Sequence, residues 1–171
     1  MVNYSNTYLS YLIMNYKNIG AVIDTNIMLL YFIGQYDINL IEKFERTDTF
    51  TKEEFKILKN IINKMKEIKI TPNILTEINN FTKRMDNNYY DTFRTITKDF
   101  NEQYFSTKKL CSNEFFYKFD ITDISILEIA KMGYLVITND KKLVGLIRSL
   151  KLDVLYWYDI KNLIWQDILS E

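Results

Sequence analysis

The sequence predicts an α/β fold, a three-layer α/β/α sandwich built on a central parallel sheet. Apolar runs of strand length alternate along it with longer segments at helical period, the pattern of parallel strands joined by helical crossovers. Proline and glycine are scarce, one and four in 171 residues, which favours long regular elements over elaborate loops. With 47% of its residues hydrophobic, a chain of this length can bury a substantial core as one domain over residues 1–171.

The elements follow in order. Tyr8 to Tyr16 reads as an outer helix, and Ile19 to Asp24 (IGAVID) as the first strand, apolar enough to be buried on both faces. A helix from Asn26 to Tyr36 comes next. Thr51 and Glu54 stand in a capping-box arrangement and open a second helix that runs to Glu67. Ile68 to Ile70 makes a short strand. Thr71-Pro72 then offers a hydroxyl cap and a first-turn proline, starting a helix that reaches Met85. Asn88 to Lys109 reads as one aromatic-rich helical stretch carrying Tyr89, Tyr90, Phe93, Phe100, Tyr104 and Phe105. Thr122 caps a helix from Asp123 to Met132, Gly133 ends it, and Tyr134 to Thr138 (YLVIT) is a buried strand. Lys141 to Leu150 is helical, Asp153 to Trp157 is the last strand, and Ile160 to Leu169 forms a terminal helix. No internal repeat, linker or domain boundary interrupts the pattern.

Composition removes whole classes of chemistry. Histidine is absent, which excludes His-based general bases, catalytic triads and His-ligated zinc. A single cysteine, Cys111, excludes an internal disulfide and a CxxC site, and reads as a buried or incidental thiol. Any metal must then be held mainly by carboxylate oxygen, which favours Mg²⁺ or Mn²⁺. The formal net charge is zero and the pI about 6.4, so no global basic signature marks a nucleic-acid binder. A carboxylate cluster at a metal site nevertheless subtracts from that count while a basic surface adds to it locally. Met1 to Asn18 lacks a basic start followed by an unbroken apolar stretch, and no apolar run reaches the ~18 residues of a membrane helix. The expectation is a cytoplasmic protein with no membrane partner.

Three aspartates fall at carboxyl ends of the expected strands or at the helix starts beside them: Asp24, Asp123 and Asp140. In an open parallel sheet that edge is where ligands bind, because the βα connections emerge there. Glu77 lies two turns into the helix from Thr71-Pro72, which leaves the same edge. Carboxylates gathered in one place repel one another and persist only with compensating protons or cations. Without histidine, a hard divalent cation is the natural solution, and it would make a bound water more acidic and neutralise phosphate charge. Phosphodiester hydrolysis is the reaction that most needs such a site and can dispense with histidine.

The motifs VIDTN (Val22 to Asn26), TPNILTE (ending at Glu77), TDISILEIA (Thr122 to Ala130) and VITND (Val136 to Asp140) together resemble a PIN-domain ribonuclease, in that family's order and over residues 19–157. The resemblance implies a PIN-like fold with extra helices and Mg²⁺- or Mn²⁺-dependent cleavage of single-stranded RNA. It carries the metal-holding and catalytic acids onto Asp24, Glu77, Asp123 and Asp140. By the same resemblance Asn26 supports the metal-bound water or Asp24, and Thr138 hydrogen-bonds a liganding carboxylate. The function it implies is endoribonucleolytic attack by a metal-activated water, leaving 5′-phosphate and 3′-hydroxyl ends. The setting is the toxin of a toxin–antitoxin pair with an antitoxin protein as partner, or RNA processing. The chain departs from compact members in its long stretch between Asp24 and Glu77 and its bulky aromatic segment from Tyr89 to Tyr117.

Plainer readings stand beside these. Asp24 also suits a helix cap, Asp140 a turn, and Glu77 a solvated helix position. Asp120, three residues before Asp123, is the alternative to it or its supporting neighbour. Arg84, seven residues past Glu77, and Lys141 and Lys142 beside Asp140 suit a substrate phosphate or a solvated face. The aromatics suit core packing or a homodimer face better than base stacking. From other classes, a non-catalytic RNA- or protein-binding module would have no need of four acids. An aspartyl-phosphate phosphatase would want an acid where Asn26 stands.

Overall fold

The computed structural model describes residues 4–162. In chain order the elements are α1 (Tyr4–Tyr16), β1 (Ala21–Ile23), α2 (Thr25–Tyr36), a 3₁₀ turn (Ile38–Leu40), α3 (Lys52–Lys64), β2 (Ile68–Ile70) and α4 (Pro72–Phe81). They continue with α5 (Asn87–Lys98), β3 (Asn101–Glu102), α6 (Thr107–Cys111), α7 (Ile121–Lys131), β4 (Leu135–Thr138), α8 (Lys141–Ser149) and β5 (Val154–Tyr156). The expected last helix begins at Trp157 within the described residues, and its part beyond residue 162 lies outside them.

All five strands are parallel, in the order β3-β2-β1-β4-β5. The chain therefore builds outward from β1 through β2 to β3, then crosses back to lay β4 on the other side of β1. Right-handed crossovers put α2, α3, α4 and α5 on one face and α7 and α8 on the other. The packing agrees, since α2 lies against α3, α4 and α5, while α7 lies against α8 and on β1 and β4. This is a three-layer α/β/α sandwich. Every residue of β1, β2 and β4 is buried, because helices cover both faces. Lys69 in β2 is the charged exception, paired to Glu67 at 3.2 Å. Among the described residues no helix is long and apolar enough to cross a membrane.

Local signals set most boundaries. Thr51 and Glu54 close a reciprocal capping box at α3, and Thr71 caps α4 ahead of Pro72. Gly20 enters β1 at φ +133°, and a Cβ there would run into the Glu67 carbonyl, so the approach of β1 to the start of β2 requires glycine. At the amino end of the sheet Lys66 N–H donates to the Lys17 carbonyl at 2.7 Å and Tyr16 donates to Asp153 at 2.9 Å, fastening α1 there.

Three expectations need correction. The stretch Asn88 to Lys109 is not one helix: α5 ends at Lys98, and Asn101–Glu102 pairs with Lys69–Ile70 at the sheet edge. Phe100 turns inward onto Tyr31 and Phe32, with ring centroids 5.9 and 6.4 Å apart, and that burial pulls the following residues alongside β2. Second, α4 stops at Phe81 rather than about Met85: Thr82 is its C-cap, its N–H still bonded to the Ile78 carbonyl at 3.0 Å while its backbone (φ −105°, ψ 9°) leaves the helix. Arg84 therefore stands beyond α4, not on the face of Glu77. Third, α7 begins at Ile121 with Asp120 as its cap, not Thr122, since Asp120 Oδ1 accepts the Asp123 N–H at 2.9 Å.

The aromatic segment is largely core. Tyr89 is fully buried, Phe93 packs on Phe32 at 4.8 Å, and Tyr36 meets Tyr89 edge-on at 5.6 Å. Tyr104 and Tyr117 remain exposed, as does the thiol of Cys111.

Candidate functional site

The crossing back from β3 to β4 makes β1 and β4 the point where strand connections diverge, and a crevice opens beyond their carboxyl ends. Asp24 follows β1 and Asp140 follows β4. Across from them stand Glu77 on α4 and Asp120 and Asp123 at the start of α7. These five acids, from four separate segments, line one open cleft of about 420 Å³ together with Thr25, Asn26, Thr122, Arg46 and Phe81.

Four of the five acids, all but Asp123, have hydrogen-bond partners for their carboxylates. Asp24 caps α2: its Oδ1 accepts the Thr25 N–H at 2.6 Å, and its Oδ2 accepts the hydroxyl of fully buried Thr138 at 2.6 Å. Thr138 in turn accepts the Asp140 N–H at 2.9 Å, so one hydroxyl links the acids that end β1 and β4. Asp140 caps α8 through the N–H groups of Lys142 and Leu143, at 2.6 and 3.0 Å. Glu77 is gripped on both oxygens, by the Thr25 hydroxyl at 2.7 Å and the Thr122 hydroxyl at 2.6 Å.

Burial, opposed by the bonds from Thr138 and Thr25 and reinforced by the charges of Asp140 and Glu77, lifts the Asp24 carboxyl to about 6. Burial, then repulsion from Asp120, Asp24 and Asp140, lifts that of Asp123 to about 7. Among the described residues none of the five acids is in an ion pair. The cluster thus carries negative charge that no lysine or arginine neutralises by contact.

A hard divalent cation fits this donor set, which is all oxygen. Among the described residues no three acidic side chains are already arranged to hold a metal ion. Asp24, Asp123 and Asp140 line the cleft from separate segments and would be the acids within reach of a hydrated ion, rather than a ready-made three-carboxylate cage. Glu77 has both oxygens occupied by threonine hydroxyls, each oxygen keeping a second lone pair for a water or an ion.

The remaining expected residues are placed as follows. Asn26 is exposed on the cleft lining, and the partners of Asp24 are Thr25 and Thr138 instead. Lys141 and Lys142 are exposed on the first turn of α8 and do not line the cleft; of the two, only Lys142 takes part in the cap, through its backbone N–H. Arg84 lines a neighbouring groove. Thr25, Thr122, Arg46 and Phe81 were not singled out as site residues from the sequence, where Thr122 reads as a helix cap. For the threonines a signal existed, since each is adjacent to a cleft aspartate. For Arg46, in an irregular stretch far from any motif, none did.

Fold and cleft together define an α/β protein with an acidic site at the switch point of a parallel sheet. No protein-family model matches this chain, and no curated protein matches it. The likeness to PIN-domain ribonucleases rests on the four sequence motifs.

Proposed function

We propose that the cleft is a divalent-metal-dependent nuclease site that hydrolyses phosphodiester bonds in single-stranded RNA. The observation that carries this is the convergence of Asp24, Glu77, Asp120, Asp123 and Asp140 on one cleft, none of them in an ion pair among the described residues. So much unpaired negative charge costs stability, and among common reactions phosphodiester hydrolysis uses it.

A divalent ion there would neutralise phosphate charge and make a water more acidic. The chain's own part is positional. Thr138 and the Thr25 N–H fix the Asp24 carboxylate, and the Thr25 and Thr122 hydroxyls fix Glu77 relative to it. The helix caps at Asp24 and Asp140 keep both acids on rigid backbone at the sheet edge. A protein partner that extends an arginine or lysine into the cleft would shut the site, which is how an antitoxin would act on it.

The test pairs the single variants Asp24→Asn and Asp140→Asn. Wild type should cut single-stranded RNA with Mn²⁺ and not with EDTA, and each variant should lose that activity while its circular dichroism stays native. Full activity in either folded variant would overturn the assignment. Thermal stabilisation by Mn²⁺ with no cleavage of any RNA would favour a binding module.

A further inference from the structure

Beside the acidic cleft lies a second groove of similar size, between the turns of residues 41–50 and the end of α4. Arg46 and Phe81 line both, so the two lie side by side and meet at this pair. Where the cleft is acidic, the groove is basic, with Arg46, Lys83 and Arg84 against the single carboxylate of Glu45. All three cations are exposed, and among the described residues none is in an ion pair.

Arg46 does not spend its charge on the acids whose cleft it lines. Its guanidinium lies 4.3 Å over the Phe81 ring. Stacking of that kind holds a guanidinium while leaving its edge N–H groups free to fork onto a phosphate. Its backbone is also fixed. The fully buried Thr47 donates its hydroxyl to the Ile41 carbonyl at 2.7 Å, and Phe50 N–H donates to the Thr47 carbonyl at 2.9 Å. An arginine held this firmly at the junction of an acidic and a basic compartment is suited to a ligand that is anionic along its length.

We propose that the groove walled by Arg46, Lys83 and Arg84 carries the phosphate backbone of the RNA next to the bond cut in the acidic cleft, with Arg46 gripping the phosphate at the junction and Phe81 positioning Arg46. The inference rests on the nuclease reading for the identity of the strand. It adds the direction in which that strand leaves the cleft and the residues that hold it. The long stretch after α2 acquires a role as the support of Arg46.

The test measures binding apart from cleavage. A fluorescein-labelled single-stranded RNA of about 12 nucleotides, within the range one groove spans, is titrated in EDTA at a series of KCl concentrations. Each lost phosphate contact lowers the slope of log K against log salt by about 0.7 for a single strand. Arg46→Gln should lower it by about 0.7 and Arg46→Gln with Arg84→Gln by about 1.4. Phe81→Leu should weaken binding with a smaller change of slope, and Lys56→Gln, on the exposed side of α3, should change neither. Unaltered slopes in the arginine variants, while wild type still cuts the RNA with Mn²⁺, would overturn the groove and leave the nuclease reading standing. Arginine-dependent binding without cleavage would support the groove and remove the nuclease reading. Arginine-dependent binding of a fluorescein-labelled acidic peptide, with no binding of the RNA, would overturn it in favour of a protein partner.

Discussion

Thr122 donates its hydroxyl to Glu77 Oε1 across 2.6 Å, tying the first turn of α7 to the middle of α4 at a carboxylate. Thr25 does the same from α2 at 2.7 Å. Three helices on two faces of the sheet therefore meet at Glu77, and each threonine sits next to an aspartate of the cleft. The position of the acids is a property of these cross-links as much as of the strands.

Replacing Thr122 with Val keeps shape and removes the donor. Loss of a partner that orients a metal-site carboxylate typically costs 10–100-fold in metal affinity or activity, about that much is expected here, and Thr25→Val should behave alike. Thr122→Ser should recover most of it. Mn²⁺ titration and cleavage rates on folded variants check this, and equal activity of Val and Ser would contradict it.

The cluster makes the metal-free protein sensitive to pH. Unfolded, both aspartates titrate near 3.8, whereas folded Asp24 and Asp123 hold their protons to about 6 and about 7. Between those values the folded state binds more protons, so the contribution of these groups is full below the unfolded value and lost as pH rises through 6 to 7. Asp123→Asn, neutral throughout, should melt above wild type at about pH 8 in EDTA and converge toward it at about pH 5. Mn²⁺, which needs the ionised carboxylates, should raise Tm more at the higher pH. A Tm difference that stays flat with pH would sink this account.

Gly34 is where α2 passes closest to α3, and a Cβ there would run into the Phe55 ring. Gly34→Ala should destabilise by about 1–3 kcal/mol through overpacking. Phe55→Leu in the same chain should return part of that, measured by urea unfolding. Additive losses would show that the two positions do not compete for space.

Glu54 is buried at 2% exposure and serves two ends of the chain. Its Oε2 accepts the Thr51 N–H at 2.9 Å, and its Oε1 accepts the Trp157 indole N–H at 2.9 Å. Glu54→Ala strands a buried indole donor and opens the cap of α3, with an expected cost of about 2–4 kcal/mol. Glu54→Gln keeps the size but offers one accepting oxygen to the two N–H donors, so it should recover only part of that loss. Denaturation followed by tryptophan fluorescence separates them, and a Gln variant as stable as wild type would point to packing rather than to the paired acceptors.

What the sequence determined by itself was whatever is encoded within about one turn or one strand. The capping box at Thr51 and Glu54, the Thr71-Pro72 helix start, strand Ile68–Ile70 and the acids ending β1 and β4 were all readable, because caps and periodicity act between near neighbours. Tertiary structure alone decided the rest. Strand Asn101–Glu102 exists because burial of Phe100 brings it to the edge of β2, against its helical surroundings. Thr122 turns its hydroxyl to Glu77 because Asp120 takes over the cap of α7. Arg46 reaches the cleft because Thr47 and Phe50 bury the turn that carries it. The contacts of Phe100 with Tyr31 and Phe32, and of Thr122 with Glu77, join residues far apart in the chain, and only the packing of the helices around the sheet brings them together.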